Sequence, residues 1–141
     1  MQASSFEEVL DQILKKDSRY HRDAYLFVRE SLDHTQKMVG KESKALRHVS
    51  GQELLAGIRE YALQQYGPMA ITVLQEWGVR SCRDFGDLVF IMVDYGLLAK
   101  TEKDTRTEFD KGYDFHEAFR KPFLPRNKQA KAGALMRISK T

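Results

Sequence analysis

Four histidines, His21, His34, His48 and His116, and a single cysteine, Cys82, are the side chains of this sequence best suited to catalysis or metal binding. On a helix over residues 19–39, His21 and Tyr25 share a face, and so do Glu30 and His34, because side chains four apart are neighbours on a helix. His21, Tyr25, Glu30 and His34 therefore form a candidate polar face that pairs a carboxylate with an imidazole. A metal site of the helical-bundle type needs Glu followed three residues later by His, with a second such pair opposite. Glu30 and His34 are four apart and have no second pair, so the spacing predicts an ion pair and no metal. Cys82 stands near the start of another predicted helix beside Arg80 and Arg83, a setting that can lower a thiol pKa. With no resolving cysteine and no adjacent histidine, it reads as a structural residue.

Other chemistries are missing their signatures. No glycine-rich phosphate loop follows a strand, and there is no Gly-x-Ser-x-Gly elbow, zinc-spaced cysteine set or HExxH pair. The expectation is a protein with no catalytic residue and no cofactor.

Charge points elsewhere. Of the 23 basic residues, five (Arg126, Lys128, Lys131, Arg137 and Lys140) fall within 125–141, where no acid stands. The rest of the chain, with 18 basic against 20 acidic groups, is slightly acidic, so the pI near 9.0 belongs to this tail. Those five residues are candidate contacts for weak, non-specific nucleic-acid binding, since phosphate neutralisation is a matter of charge. Just before them, Arg120, Pro122, Phe123, Leu124 and Pro125 form a candidate docking segment. Two prolines hold it extended, and Phe123 and Leu124 must dock either on the body or on a partner.

The elements that must position these residues are mainly helical. Phe6, Val9, Leu10, Ile13 and Leu14 recur at helical spacing over 5–16, with Ser4 and Ser5 each three residues before a glutamate, the capping-box interval. A second helix spans 19–39, with Gly40 as its exit, and pairs with the first as a helical hairpin over 5–40. Residues 41–49 are a charged connector. Ser50 and Glu53 open a third helix over 51–66, Gly67 and Pro68 divide it from a fourth over 68–77, and Ser81 opens a fifth over 81–95. Leu88 to Val93 is apolar on every side. The fifth helix therefore needs cover on two faces, from the N-terminal hairpin or from a second copy in a homodimer. Beyond Gly96, residues 97–101 and 109–115 read as the two strands of a small hairpin around a charged turn, followed by a short helix over 116–121 halted by Pro122.

Three helices followed by a hairpin have the order of a winged helix, so residues 51–115 are expected to form a winged-helix-like unit of a mainly α (α+β) fold. Residues 1–124 then make one globular domain, and 125–141 a basic, disordered tail. Residues 51–100 hold four basic groups against six acidic ones, a poor surface for phosphates, so the unit fits a protein contact better than a DNA contact. The longest apolar run, six residues, is far short of the roughly 20 needed to span a bilayer, and residues 1–6 lack a signal peptide's apolar stretch. With one cysteine, cytoplasm is the expected compartment.

Several strings are distinctive together. They are residues 17–25 (Asp-Ser-Arg-Tyr-His-Arg-Asp-Ala-Tyr), Gly67-Pro68-Met69-Ala70, Glu76-Trp77-Gly78-Val79-Arg80-Ser81, Gly112-Tyr113-Asp114-Phe115 and residues 120–126. Over residues 6–126 the chain resembles a small family of uncharacterised bacterial proteins found chiefly in planctomycete and verrucomicrobial lineages. That resemblance implies a bacterial origin and carries over no catalytic or binding residue. The functional expectation is a non-catalytic protein-interaction or scaffold module. A nucleic-acid-associated regulator comes second, and an enzyme using the polar face third.

Overall fold

The computed structural model describes residues 5–43, 49–99, 107–110 and 112–125. Helix α1 (Phe6–Lys16) starts where the Ser5 hydroxyl accepts the Glu8 N–H and the Glu8 carboxylate accepts the Ser5 N–H, satisfying two exposed donors of the first turn. It stops at Asp17, which is extended and binds both the backbone N–H and the guanidinium of Arg19. Helix α2 (Arg22–Ser43) begins three residues later than its apolar period predicts. The reason is local: His21 Nδ1 accepts the N–H of Asp23 at 3.0 Å, which makes His21 the cap rather than a helical residue. At the other end α2 continues through Gly40 to Ser43, correcting the expected exit at Gly40. Gly40 keeps a negative φ, and one interior glycine costs only about 1 kcal/mol.

Helix α3 (Gly51–Tyr66) opens on the reciprocal Ser50–Glu53 cap and ends at Gly67. A 3-10 turn (Gly67–Met69) carries Pro68 into α4 (Ala70–Glu76), and α5 (Cys82–Asp94) follows. The α4–α5 link turns at Gly78, whose φ is +89° and where a Cβ would lie 2.5 Å from the Arg19 carbonyl oxygen. Only glycine meets both demands. The described chain ends with α6 (Thr107–Asp110), a π-helical turn (His116–Arg120) and a 3-10 turn (Lys121–Phe123).

Among the described residues the expected β-hairpin is not formed, since they contain no strand, and the winged-helix arrangement built on it is not supported. Leu97 gives its N–H to Met92 O at 2.8 Å and Gly96 gives its own to Val93 O, closing α5 with a left-handed cap. That spends the donor a strand would need. Phe109, placed in the returning strand, lies instead in the single turn of α6. Its ring meets Phe90 edge-on at 6.3 Å, Glu108 accepts the Gly51 N–H at 2.6 Å, and Gln52 donates to the Glu108 carbonyl. Residues 100–106 and 111, the remainder of that hairpin, lie outside the described residues.

One core links these elements. Helix α2 packs on both α3 and α5. Leu10 and Ile13 of α1, Tyr25 and Val28 of α2, Ile58 of α3, Leu74 of α4, Phe85, Leu88 and Met92 of α5, and Phe119 are all fully enclosed. Helix α5 is covered by α2 and by α6, so both of its covers come from this chain. Among the described residues no helix is long and apolar enough to cross a membrane.

Candidate functional site

The predicted polar face does not assemble as its spacing implied. His21 is exposed at the cap of α2, while Tyr25 is fully buried, its ring 6.4 Å from that of Tyr20. Among the described residues the Tyr25 hydroxyl has no hydrogen-bond partner, and burial pushes its pKa up to about 12. Glu30 and His34 do share a face, but each reaches across to α3 rather than to the other. The Tyr61 hydroxyl donates to Glu30 Oε1 at 3.2 Å, and His34 Nε2 lies 2.7 Å from Glu60 Oε1, with the His34 and Tyr61 rings 5.4 Å apart. Burial first, then the Glu30 carboxylate, hold the Tyr61 phenol above its ordinary range. These are two separate polar pairs along the α2–α3 seam, one acidic partner in each. Among the described residues no group of three or more His, Cys, Asp or Glu comes together as a metal site.

Cys82 is buried at the start of α5, its Sγ 3.5 Å from the Tyr113 carbonyl oxygen. Desolvation outweighs that contact and raises the thiol to about 11, so it is not the activated thiolate that a helix N-terminus with two arginines can produce.

The docking segment has an anchored end and a presented end. Phe119 is fully buried, its ring 5.0 Å from Phe115 and 5.7 Å from Tyr113, with Phe85 completing the cluster against Phe115 at 5.6 Å. Tyr113 fixes the cluster to α3 by donating its hydroxyl to Leu55 O at 2.7 Å. Four residues beyond Phe119, Phe123 is 43% exposed between Pro122 and Pro125, which are themselves exposed. Leu124 is half-buried and extended at φ −74°, ψ 151°, the conformation a following proline favours. Arg120 is exposed, and Lys121 pairs with Glu117 at 3.2 Å. The tail residues Arg126, Lys128, Lys131, Arg137 and Lys140 lie outside the described residues.

Two features have no counterpart in the spacing argument. The Tyr20 hydroxyl sits 2.7 Å from Asp84 Oδ1 and 3.0 Å from Asp87 Oδ2, and with one proton it donates to one carboxylate at a time. Asp84 also accepts the N–H groups of Arg80 and Ser81, and Arg19 faces Asp87 at 3.6 Å. Burial and the two acids hold the Tyr20 phenol far above its ordinary range. This node, with the His21 N–H donating to Trp77 O at 3.0 Å, fastens the α1–α2 link to the α4–α5 region. The Tyr20 hydroxyl and the Trp77 carbonyl thus hold two segments of the chain together. The second feature is a pocket among α2, α3, α5 and α6, partly open to solvent and mainly apolar, lined in part by Leu32 and Gln36 but not by Glu30 or His34.

Compared with known protein families, curated proteins and solved structures, the chain matches none.

Proposed function

We propose that this chain is a non-catalytic interaction module of a bacterial cytoplasm that offers residues 120–125 to a protein partner. One observation carries the reading: the chain is pinned by the fully buried Phe119, yet four residues later it leaves Phe123 43% exposed between two prolines. An aromatic ring on a proline-stiffened segment has little conformational entropy left to lose on binding, which makes it an efficient anchor for a partner's pocket. With Arg120 exposed beside it, the partner surface that fits is an apolar groove with an acidic rim. The dispersed polar pairs at Glu30 and His34 lack a nucleophile and an enclosing cavity, which disfavours the enzymatic alternative.

A photo-crosslinking amino acid at position 123, compared with one at the exposed Thr72 of α4, tests the reading in cells of the native host. The expected result is one discrete adduct from position 123 and none from position 72, with the adduct suppressed by excess synthetic peptide spanning residues 117–125. Equal labelling from both positions, or none from either, overturns it.

A further inference from the structure

Three half-buried rings, Tyr61 and Tyr66 of α3 and Trp77 at the end of α4, gather over the buried Phe27 of α2, whose ring lies 5.7, 6.1 and 5.6 Å from them. Carboxylates border them. Glu30 accepts the Tyr61 hydroxyl, and Glu60 lies against His34, whose ring adjoins Tyr61. Burial raises both phenols, and carboxylates add to it: Glu30 and Asp33 act on Tyr61, Glu30 and Asp23 on Tyr66. The arginines of α2 and α3 are engaged elsewhere. Arg22 pairs with Asp11 and Glu7 of α1, Arg29 lies 4.4 Å over the Phe6 ring, and Arg59 acts on Tyr113. Lys37 stands one turn beyond Asp33, and among the described residues no ion pair joins them.

Aromatic rings attract ammonium and guanidinium groups, tryptophan most strongly, and nearby carboxylates add to the pull. A segment rich in Lys and Arg therefore suits this face. The chain carries one: residues 126–141, outside the described residues, hold five basic groups and no acid, with Leu135, Met136 and Ile138 among them. These sixteen residues reach about 50 Å when extended, farther than the roughly 35 Å across a domain of this size. Their starting point is tied to the same region, because the π-helical turn that leads to Pro125 packs on α4, which Trp77 caps. So short a tether holds the tail at a local concentration of about the millimolar range, enough for individually weak contacts to be occupied.

From these features we infer that the tail of residues 126–141 docks on its own chain, its Arg and Lys side chains against Tyr61, Tyr66 and Trp77 and among the carboxylates of Asp23, Glu30, Asp33 and Glu60. Docked there, the five cations are neutralised by the body instead of being offered to phosphates. This face is separate from residues 120–125, so the contact does not depend on their having a partner.

The test places a nitroxide spin label on Ala134→Cys of the full-length chain, in a Cys82→Ala background, and reads the loss of NMR signal around it. The amides of Asp33, Tyr61 and Tyr66 and the indole N–H of Trp77 should lose about half their intensity or more, while those of the exposed Glu8 and Gln12 of α1 keep theirs. Replacing the five tail cations by Gln, or combining Glu30→Gln with Asp33→Asn, should restore most of the lost signal. So should raising salt from about 0.1 M to about 1 M, which shortens the screening length from about 10 Å to about 3 Å. If Cys82→Ala does not fold, the unlabelled chain still decides. Trp77 is the single tryptophan, and its indole signal should differ between the natural and the five-Gln tail at low salt and coincide at high salt. Equal losses at Glu8 and Gln12, losses unchanged by the Gln tail, or an indole signal indifferent to the tail each overturn the inference. Losses seen only when spin-labelled and isotope-labelled copies are mixed overturn it too, in favour of a contact between copies.

Discussion

Thr35 of α2 lies directly over Gly57 of α3, so that a Cβ added at Gly57 would sit 2.9 Å from the Thr35 Cβ and collide outright with its Oγ1. Thr35 is itself fixed, its hydroxyl donating to Ser31 O at 2.7 Å, and both Ser31 and Thr35 are buried. Small and tethered groups at this crossing set how closely the two longest helices pack.

Gly57→Ala accordingly has two opposing effects. Helix propensity favours alanine by about 1 kcal/mol, whereas overpacking a tight contact costs about 1–3 kcal/mol. Because Thr35 cannot move without giving up its own hydrogen bond, the net effect is expected to be destabilising. Urea unfolding of Gly57→Ala alone and in a Thr35→Ala background measures the coupling, and the cost should shrink when the hydroxyl is gone. A stabilised single variant would show that the helices part without penalty.

Two buried tyrosines should respond in opposite ways to loss of the hydroxyl. Tyr20→Phe removes the donor shared by Asp84 and Asp87, and hydrogen bonds to charged groups are worth about 1.5–3 kcal/mol. Tyr25→Phe removes a buried hydroxyl that has no partner among the described residues, so it is expected to be neutral or stabilising. The readout is the shift in urea midpoint at constant slope. Equal losses in both variants would contradict the assignment of partners.

What could be seen in the sequence was what is local. The Ser5–Glu8 and Ser50–Glu53 caps, and the left-handed exits at Gly67, Gly78 and Gly96, act within a few residues and emerge where expected. The hairpin failed because strand pairing depends on where distant donors go, and Leu97 had a nearer acceptor in Met92 O. The polar face failed for two different reasons. His21 caps α2 instead of entering it, so its four-residue spacing to Tyr25 has no helical meaning. Glu30 and His34 keep their spacing but take partners 31 and 26 residues away on α3. Asp84 could be read as a cap for α5, yet nothing near it in the chain announces Tyr20, 64 residues earlier.

Helix α5 gives a third prediction. Phe90 is 8% exposed and Met92 fully enclosed, with cover supplied by α2 and α6 of the same chain. Truncating either to alanine should cost roughly 2–5 kcal/mol through lost burial and the space left behind. Since no second copy is needed to cover this helix, sedimentation equilibrium should give a monomer, and the stability loss should not depend on protein concentration. A concentration-dependent unfolding midpoint would mean that a homodimer interface contributes to that cover.

Alkali should weaken the fold through groups that burial keeps protonated. Cys82 is raised from about 9 to about 11, and Tyr25 from about 10 to about 12, in each case chiefly by desolvation. The folded chain therefore retains protons that the unfolded chain gives up, so unfolding releases protons and rising pH drives it. Stability from Cys82 is complete below pH 9 and is lost progressively between 9 and 11, and that from Tyr25 follows between 10 and 12. Each group contributes a slope of at most about 1.4 kcal/mol per pH unit within its window. Comparing wild type with Cys82→Ala from pH 8 to 10.5 isolates the first part: the variant's unfolding free energy should fall less steeply above pH 9. In native protein at pH 8 the thiol should also react with a disulfide reagent far more slowly than after unfolding, because it is both enclosed and protonated. Parallel pH profiles for the two proteins, or a native thiol that reacts at the unfolded rate, would show that Cys82 is neither.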